Sequence, residues 1–252
     1  RMNQSIGGAG AQRTVAEQEA GLEYAQAFDE NPDPTHIKFR DFAKYARRQD
    51  LTGFLARYEI FKRVLSVKGS VIECGVFRGG GLMAWANFSA ILEPNNLSRR
   101  VYGFDTFEGF ESVGPEDSSP HRETKKGELR SDSYDEIQSL ITTFDKNRFL
   151  GHVDKVHLVK GDATDTIPVF VDDHPHLLVS LLFLDFDLYE PTKIAIEHLL
   201  PRMPKGAIIA FDELDNPAWP GETLAMIDSV GSNRLRIERC EFDPYVGFAV
   251  LD

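Results

Sequence analysis

The turn that decides the fold lies at residues 71–81, Val71-Ile72-Glu73-Cys74-Gly75-Val76-Phe77-Arg78-Gly79-Gly80-Gly81. Its first half predicts a short strand, and the glycines behind it predict a tight turn into a helix over about 81–93. Glycines let a backbone approach a ligand closely, and a helix start offers unpaired N–H groups. The glycines lack the G-x-G-x-x-G spacing of the dinucleotide fingerprint. The stretch therefore predicts a strand-to-helix turn, either with some other ligand bound at it or as a glycine-rich turn without a ligand.

Strands and helices alternate from this turn to the C-terminal end. A closing hairpin is predicted at 234–241 and 245–251, after five strands at 71–75, 101–105, 156–160, 178–185 and 207–211. Such alternation predicts an α/β fold with a parallel sheet between helix layers, and the hairpin requires one antiparallel strand. Ligands of open parallel sheets bind beyond the carboxyl ends of the strands, so we expect the active site there.

The N-terminal part does not follow this alternation. Residues 1–35 are polar and end in a helix-breaking stretch, Asn31-Pro32-Asp33-Pro34, which predicts a loose or partner-dependent arm. A helical stripe follows, which we interpret as core or subunit interface without chemistry: Phe54, Tyr58, Phe61 and Leu65. We expect an N-terminal arm with helices over 1–50 and one domain over 51–252.

A second irregular segment lies inside that domain. Residues 107–131 are polar and rich in Gly, Pro, Ser and charge, and they predict a lid loop, because structureless loops of this length are uncommon unless they have a function. The lid carries four cations that indicate either a solvated loop or a phosphate clamp: Arg122, Lys125, Lys126 and Arg130. Directly after it, Ser133-Tyr134-Asp135-Glu136 predicts a capping box.

Composition excludes several classes of protein. The 252 residues include 28 Lys and Arg against 40 Asp and Glu, a net charge of −12 that argues against a general binder of nucleic acid or anionic membranes. Two cysteines cannot form a disulfide scaffold or a Cys-rich zinc site. The longest apolar run, 177–184, is too short for a membrane span and predicts a strand buried on both faces. Residues 1–20 do not resemble a signal peptide, so we expect a cytoplasmic protein.

Acidic residues follow the predicted strands. Asp105 ends the second strand, where a carboxylate can accept hydrogen bonds from both ribose hydroxyls of a nucleoside. Asp162 follows the third strand and is a weaker candidate for the adenine edge. A helix cap or a loop acid is the alternative for Asp105.

The largest group of acids follows strands four and five. Asp185-Phe186-Asp187 ends the fourth strand and Asp212-Glu213 ends the fifth. Neighbouring strands lie about 4.8 Å apart, so Asp185, Asp212 and Glu213 are expected to meet. Three such carboxylates repel each other unless a cation or a proton intervenes, and oxygen ligands suit Mg²⁺ better than Zn²⁺. The alternative is that these acids cap helices or meet Lys and Arg on the surface.

These features together resemble the macrocin O-methyltransferase family of sugar-modifying enzymes, within the S-adenosylmethionine-dependent methyltransferases. The resemblance lies in residues 71–80, in Tyr102-Gly103-Phe104-Asp105-Thr106-Phe107-Glu108-Gly109-Phe110, and in Leu184-Asp185-Phe186-Asp187-Leu188-Tyr189-Glu190-Pro191-Thr192. It implies a Rossmann-like three-layer sandwich with a mostly parallel, seven-stranded sheet and an antiparallel C-terminal strand, and it makes 51–252 the methyltransferase domain.

The resemblance also implies roles for individual residues. Those expected to bind S-adenosylmethionine are Glu73 and Gly75 at the methionine part, Arg78 beside them, Asp105 at the ribose and Asp162 at the adenine. Mg²⁺ would be held by Asp185, Asp212 and Glu213, with Asp187 as general base toward a sugar hydroxyl. Glu213 departs from the family, which commonly has a second Asp there. The implied substrate is a nucleotide-linked deoxysugar or a glycosylated natural product, with self-association into a homo-oligomer and neither nucleic acid nor membrane as partner.

Three other functions remain open at the level of the residues. A metal-dependent glycosyltransferase also uses an Asp-x-Asp at a strand end, which Asp185 and Asp187 match, but it leaves the glycine turn and Asp105 without a role. A nicotinamide-dependent oxidoreductase begins with the same fold but needs the missing glycine spacing. A non-catalytic binding domain leaves the acid cluster unexplained.

Overall fold

The computed structural model of the chain describes residues 14–241 and 243–252. The chain divides into two compact units, Arg1–Leu55 and Ala56–Asp252. In the described part of the first unit, α1 (Val15–Glu30) and α2 (Thr35–Arg40) are followed by a 3₁₀ turn at Phe42–Lys44. The next helix, α3, spans Arg48–Arg63.

Residues 15–30 of the predicted loose or partner-dependent arm form a helix, α1, in which no residue is buried. The arm is therefore regular there, and its dependence on a partner stays a prediction. Thr14 caps this helix: its hydroxyl accepts the N–H of Glu17 at 3.2 Å, and the Glu17 carboxylate accepts the N–H of Thr14 at 3.0 Å. This capping box satisfies two donors at the helix start and was readable in the sequence as Thr14-Val15-Ala16-Glu17. The rest of that prediction, residues 1–13, lies outside the described residues.

The second unit is built on a seven-stranded sheet in the order β3-β2-β1-β4-β5-β7-β6. Its strands are β1 Ser70–Cys74, β2 Val101–Asp105, β3 Val156–Lys160, β4 Val179–Leu184, β5 Ile208–Phe211, β6 Glu238–Arg239 and β7 Gly247–Val250. The first five strands are parallel, and β7 runs antiparallel to both β5 and β6. The predicted fold class is confirmed, although the hairpin strands are shorter than expected.

Helices connect the strands as the alternation predicted. They are α4 Gly80–Leu92, α5 Tyr134–Asn147, α6 Ala163–Asp173, α7 Tyr189–Leu199 and α8 Gly221–Ser229. The capping box predicted at the start of α5 is wrong, because the Ser133 side chain makes no cap hydrogen bond and donates instead to the carbonyl of Phe77. The hydroxyl thereby ties the start of α5 to the glycine turn.

The core lies on both faces of the sheet, and β4 divides it. Leu181 and Phe183 face one cluster of buried apolar residues, and Leu182 and Leu184 face the other. Successive side chains of a strand point to opposite faces, so an unbroken apolar run is what a central strand requires. No helix within 14–241 or 243–252 has the length and hydropathy to cross a bilayer.

The strand order puts a crevice between β1 and β4. The chain proceeds from β1 outward to β2 and β3, then returns to place β4 and β5 on the other side of β1. At such a switch point the connections leave in opposite directions, which opens a groove beyond the carboxyl ends of the two central strands. The residues after β1 and β4 therefore line the natural ligand site of this sheet.

Candidate active site

The turn after β1 passes very close to the end of β4. Gly75 has φ +99°, and a Cβ on it would lie 1.9 Å from the carbonyl oxygen of Asp185. Only glycine accommodates both this conformation and this approach. The site is therefore built on a direct backbone contact between the two central strands.

Glu73 is a buried acid behind that turn. Its side chain is 1% exposed, its Oε1 accepts a hydrogen bond from Trp85 Nε1 at 3.3 Å, and a Cβ on Gly81 would lie 2.0 Å from the same oxygen. Its Oε2 is buried and has no hydrogen-bond partner among the described residues. Burial raises the pKa of Glu73 to about 8, although the nearby Arg57 acts in the opposite direction.

These features fit the cationic cofactor that the sequence predicts. A buried carboxylate oxygen without a partner is unfavourable unless a ligand supplies a donor or a positive charge. S-adenosylmethionine carries an ammonium and a sulfonium group, and in the glycine turn beside Glu73 the position that a Cβ on Gly80 would take has no atom within 4 Å. The roles of Glu73 and Gly75 toward the cofactor nevertheless stay predictions.

Asp105 lies at the same turn but is already engaged by the backbone. Its Oδ2 accepts the N–H groups of Val76 at 2.8 Å and Phe77 at 2.7 Å, and its Oδ1 accepts the N–H of Phe107 at 2.6 Å. Phe77 and Phe107 both have positive φ, 50° and 59°, so this carboxylate holds two strained residues in place. The proposed contact of Asp105 with ribose stays a prediction beside this observed structural role.

The other two cofactor candidates lie nearer the surface. The Arg78 guanidinium lies over the ring of Phe77, 5.1 Å from its centroid. Asp162 is the N-cap of α6, where its Oδ1 accepts the N–H of Thr164 at 2.8 Å. Neither contact tests a role toward the cofactor, so both assignments stay predictions.

The acids after β4 and β5 do converge on a cation, and that cation is Arg57. Hydrogen bonds from Asp185 N to Cys74 O and from Asp212 N to Leu184 O carry the sheet ladder one residue beyond the strands. Arg57 Nη2 lies 3.1 Å from Asp185 Oδ2 and 3.9 Å from Asp212 Oδ1. The same side chain reaches Glu73, with 3.8 Å between Nε and Oε1.

Burial is the largest influence on the pKa values of Asp185, Asp212 and Arg57. Burial raises the pKa of Asp185 well above its usual value; the charge of Asp212 raises this pKa further, and Arg57 lowers it. It also raises the pKa of Asp212, again against Arg57. Burial alone would lower the pKa of Arg57, but Asp212, Glu73 and Asp185 together raise it.

Glu213, the predicted third ligand, contacts a residue of its own loop. Its Oε2 accepts a hydrogen bond from the side-chain amide of Asn216. Across the part of the chain that the structure describes, no group of three or more His, Cys, Asp or Glu side chains is placed to hold a metal. Carboxylates are suitable donors for Mg²⁺, but this arrangement does not fit the predicted three-carboxylate site, so the Mg²⁺ assignment stays a prediction.

Asp187 is held in a strained, nearly buried position just after β4. It has φ +61°, and its side chain is 9% exposed. Burial raises its pKa well above the usual value, Glu213 and Asp212 raise it further, and Arg122 acts against them. A carboxyl group of this kind is a candidate general base, since its pKa is moved toward the pH at which it would work.

Glu222, at the start of α8, is a buried acid that the sequence analysis missed. Its Oε1 accepts the N–H of Asp187 at 3.1 Å, and its Oε2 accepts the N–H of Glu213 at 3.2 Å. It therefore links the segment after β4 to the segment after β5. Burial, followed by the charges of Asp187 and Asp212, raises the pKa of Glu222 well above its usual value.

The predicted lid loop is attached beside Asp187. Asp117 is buried, and its carboxylate accepts the N–H groups of Gly114 at 2.7 Å and of Tyr189, the first residue of α7, at 2.6 Å. The Arg122 guanidinium lies 3.8 Å from the ring centroid of Trp219. The lid cations all pair with carboxylates, as Arg122–Glu128, Lys125–Glu123, Lys126–Glu111 and Arg130–Asp132. Lys125, Lys126 and Arg130 are also exposed, which favours the solvated-loop interpretation for them, whereas Arg122 is largely covered.

Comparisons with known proteins identify similar sequences. The macrocin-O-methyltransferase (TylF) family matches residues 57–229. A Streptomyces olivaceus protein, 8-demethyl-8-(2,3-dimethoxy-alpha-L-rhamnosyl)-tetracenomycin-C 4'-O-methyltransferase, is 30% identical over 148 residues, 58% of this chain and 53% of that protein. Demethyldecarbamoylnovobiocin O-methyltransferase of Streptomyces niveus is 25% identical over 152 residues, with 59% and 53% covered. The chain thus matches about half the length of these curated relatives.

Solved structures extend the similarity to nearly the whole chain. The calicheamicin methyltransferase CalS11 superposes with a TM-score of 0.90 at 31% identity, covering 94% of this chain and 93% of that one. An apo structure of CalS11, described as a TDP-rhamnose 3'-O-methyltransferase, has a TM-score of 0.82 at 30% identity, covering 94% and 95%. The O-methyltransferase NovP, at 20% identity with a TM-score of 0.63 and 79% of each chain covered, shares the fold.

Proposed function

The chain belongs to the macrocin-O-methyltransferase family, and we propose that it is an S-adenosylmethionine-dependent O-methyltransferase acting on a sugar hydroxyl. Two relatives support this acceptor class, because the Streptomyces olivaceus protein is named for a rhamnosyl compound and CalS11 for TDP-rhamnose. The proposed acceptor is a nucleotide-linked deoxysugar or a glycosylated natural product. The family favours neither the glycosyltransferase nor the oxidoreductase alternative.

One observation carries the proposal: two buried acids with raised pKa values flank the switch point of the sheet. Glu73 lies on β1 with an unpartnered carboxylate oxygen, and Asp187 follows β4, the neighbouring strand. The first suits a ligand with positive charge, and the second suits removal of a proton. Methyl transfer from a sulfonium to an alcohol needs both functions side by side.

The residues divide the work as follows. Glu73 and the backbone at Gly75 bind the cofactor, and Asp105 keeps the turn in the shape that allows it. When bound, S-adenosylmethionine supplies a methyl group on a positively charged sulfur. Asp187 accepts the proton of the acceptor hydroxyl on its carboxylate, and its raised pKa brings it closer to that weak acid. Alignment of the acceptor by the protein contributes up to about 7–11 kcal/mol in reactions of this kind.

Asp185 and Asp212 are proposed as a cation-binding pair of this site. The predicted Mg²⁺ ion, with Glu213 as third ligand, would require Arg57 to withdraw from the pair and Glu213 to exchange its contact with Asn216. No step of the proposed chemistry is routed through this ion. Self-association stays a prediction.

The function is tested by product analysis with an active-site variant. Purified protein with S-adenosylmethionine is offered TDP-rhamnose and a rhamnosylated aglycone, and methylated sugar is detected by mass spectrometry. Asp187→Asn should lower kcat by about 10²–10⁴-fold, because the general base is removed. Cofactor affinity, measured by calorimetry, should stay within about twofold of wild type, because Glu73 and the glycine turn are unchanged. Asp172→Asn, an exposed acid of α6, is the matched control.

Two outcomes would contradict the proposal. Wild-type turnover in Asp187→Asn would remove Asp187 as the base. Failure of the wild-type protein to bind S-adenosylmethionine would reject the function as a whole.

A further inference from the structure

We propose that Arg57 is a built-in counter-cation of Asp185 and Asp212, and that a divalent ion reaches this carboxylate pair only by displacing the guanidinium. The inference concerns cation binding at the strand ends. It does not depend on methyl transfer, because it is stated and tested without cofactor or acceptor.

The position of the guanidinium is the first argument. A single nitrogen, Nη2, lies within 4 Å of both carboxylates, at 3.1 Å from Asp185 and 3.9 Å from Asp212. An ion that bridged the two acids would need the space in which this nitrogen lies, since Mg²⁺ binds oxygen at about 2.0–2.1 Å. A guanidinium and a divalent ion therefore cannot occupy the bridging position together.

The packing of Arg57 is the second argument. Its side chain is 16% exposed and its guanidinium carbon lies 4.5 Å from the ring centroid of Phe183, on β4. A Cβ on Gly81 would lie 3.0 Å from Arg57 Nε, so the start of α4 closes the other side. Arg57 therefore occupies a shaped slot beside the sheet, unlike an exposed arginine that reaches a carboxylate by chance.

The charge balance is the third argument. Glu73, Asp185 and Asp212 all lie within 4 Å of this one guanidinium, so three carboxyl groups face a single positive charge. One positive charge thus leaves the group under-neutralised. The remaining negative charge attracts a doubly charged ion, while the slot favours Arg57, so the two cations compete.

Competition predicts that removing Arg57 strengthens metal binding. We measure Mn²⁺ binding by electron paramagnetic resonance in wild type, Arg57→Gln, Arg57→Lys and the control Arg63→Gln, all without cofactor. Arg63 lies on the same helix, is 46% exposed and pairs with Glu238, away from the site. Arg57→Gln should bind Mn²⁺ at least about tenfold more tightly than wild type, within the usual range of coupling between sites, and Arg63→Gln should match wild type.

A second substitution tests whether the tighter Mn²⁺ binding of Arg57→Gln depends on the carboxylate pair. Adding Asp185→Asn to Arg57→Gln should abolish the tighter binding, because one of the two acids is lost. If Arg57→Gln fails to fold, the comparison is made with Arg57→Lys, whose shorter side chain should leave the pair partly open and increase Mn²⁺ affinity to a smaller extent.

The proposal is overturned if the folded Arg57 variant binds Mn²⁺ with the affinity of wild type, or more weakly. Equal affinity would mean that Arg57 does not block the pair. Weaker binding would mean that it supports a metal site instead. Neither result would bear on methyl transfer, which is measured separately by product formation and cofactor binding.

Discussion

Replacement of Asp105 by asparagine should destabilise the glycine turn, and the size of the effect follows from its hydrogen bonds. The carboxylate accepts three backbone N–H groups, two on Oδ2 and one on Oδ1, at 2.6–2.8 Å. An asparagine side chain has one oxygen and one NH₂ group. At least one backbone donor must therefore face another donor, whichever way the amide is turned.

The magnitude is worked out from the lost acceptor and the lost charge. A donor left without a partner costs about 1–3 kcal/mol, and the surviving hydrogen bonds weaken because bonds to a charged acceptor contribute about 1.5–3 kcal/mol against 0.5–1.5 kcal/mol for neutral ones. We expect the free energy of unfolding to fall by about 3 kcal/mol. For a chain of this size that corresponds to a drop in Tm of about 6–12 °C.

The assay is thermal and urea unfolding of Asp105→Asn beside Asp162→Asn. The control makes the same chemical change at the N-cap of α6, where asparagine caps nearly as well as aspartate, so its stability should stay within a few tenths of a kcal/mol of wild type. If Asp105→Asn unfolds like the control, the carboxylate does not hold the turn, and the structural role assigned to it is refuted. Calorimetry with S-adenosylmethionine on the same protein tests the ribose contact independently.

Two further predictions concern the other buried acids. The pKa of Glu73 is about 8 in the folded protein, against an ordinary value of 4.5. Between these two pH values the folded state binds more protons than the unfolded state, so the free energy of unfolding should fall as the pH rises from about 5 to about 8. In Glu73→Gln the free energy of unfolding, measured with urea at both pH values, should depend less on pH. The same pH dependence as in wild type would contradict the raised pKa of Glu73. Glu222→Gln keeps the side-chain volume but replaces one acceptor by a donor, so the N–H of Asp187 or Glu213 loses its partner. We expect kcat to fall roughly tenfold or more with the KM for cofactor little changed; an unchanged kcat would show that Glu222 does not position Asp187.

Much of the fold could be predicted because parallel strands buried on both faces are continuous runs of apolar residues, which are easy to recognise in a sequence. The run at 177–184 is apolar on both faces, and β4 accordingly lies in the middle of the sheet. The closing hairpin was predicted too long: among the described residues β6 spans only Glu238–Arg239, opposite Phe248 and Gly247 of β7. Alternating sequence alone does not tell how much of an edge strand finds a partner.

The convergence of the strand-end acids was also predictable, whereas their partners were not. Register pairs Leu184 with Phe211, so the next residues, Asp185 and Asp212, necessarily lie side by side. Arg57 lies 128 residues before Asp185, on a helix whose apolar stripe indicated packing alone. The alternative of Lys and Arg partners on the surface had the right kind of partner for Asp185 and Asp212 but the wrong place, because the Arg57 side chain is only 16% exposed.

The excess of buried acid in this crevice has a consequence for every ligand it binds. Glu73, Asp185, Asp187, Asp212 and Glu222 all have raised pKa values, with burial as the largest cause. Arg57 acts to lower the pKa of Asp185, and Arg122 acts to lower that of Asp187. Protons and ligand cations compete for the same carboxyl groups, so we expect binding of a cation to lower the pKa values of these acids and to favour release of protons. A cationic cofactor, by lowering these pKa values on binding, would convert Asp187 toward its ionised form, which is the form that accepts a proton from the acceptor hydroxyl.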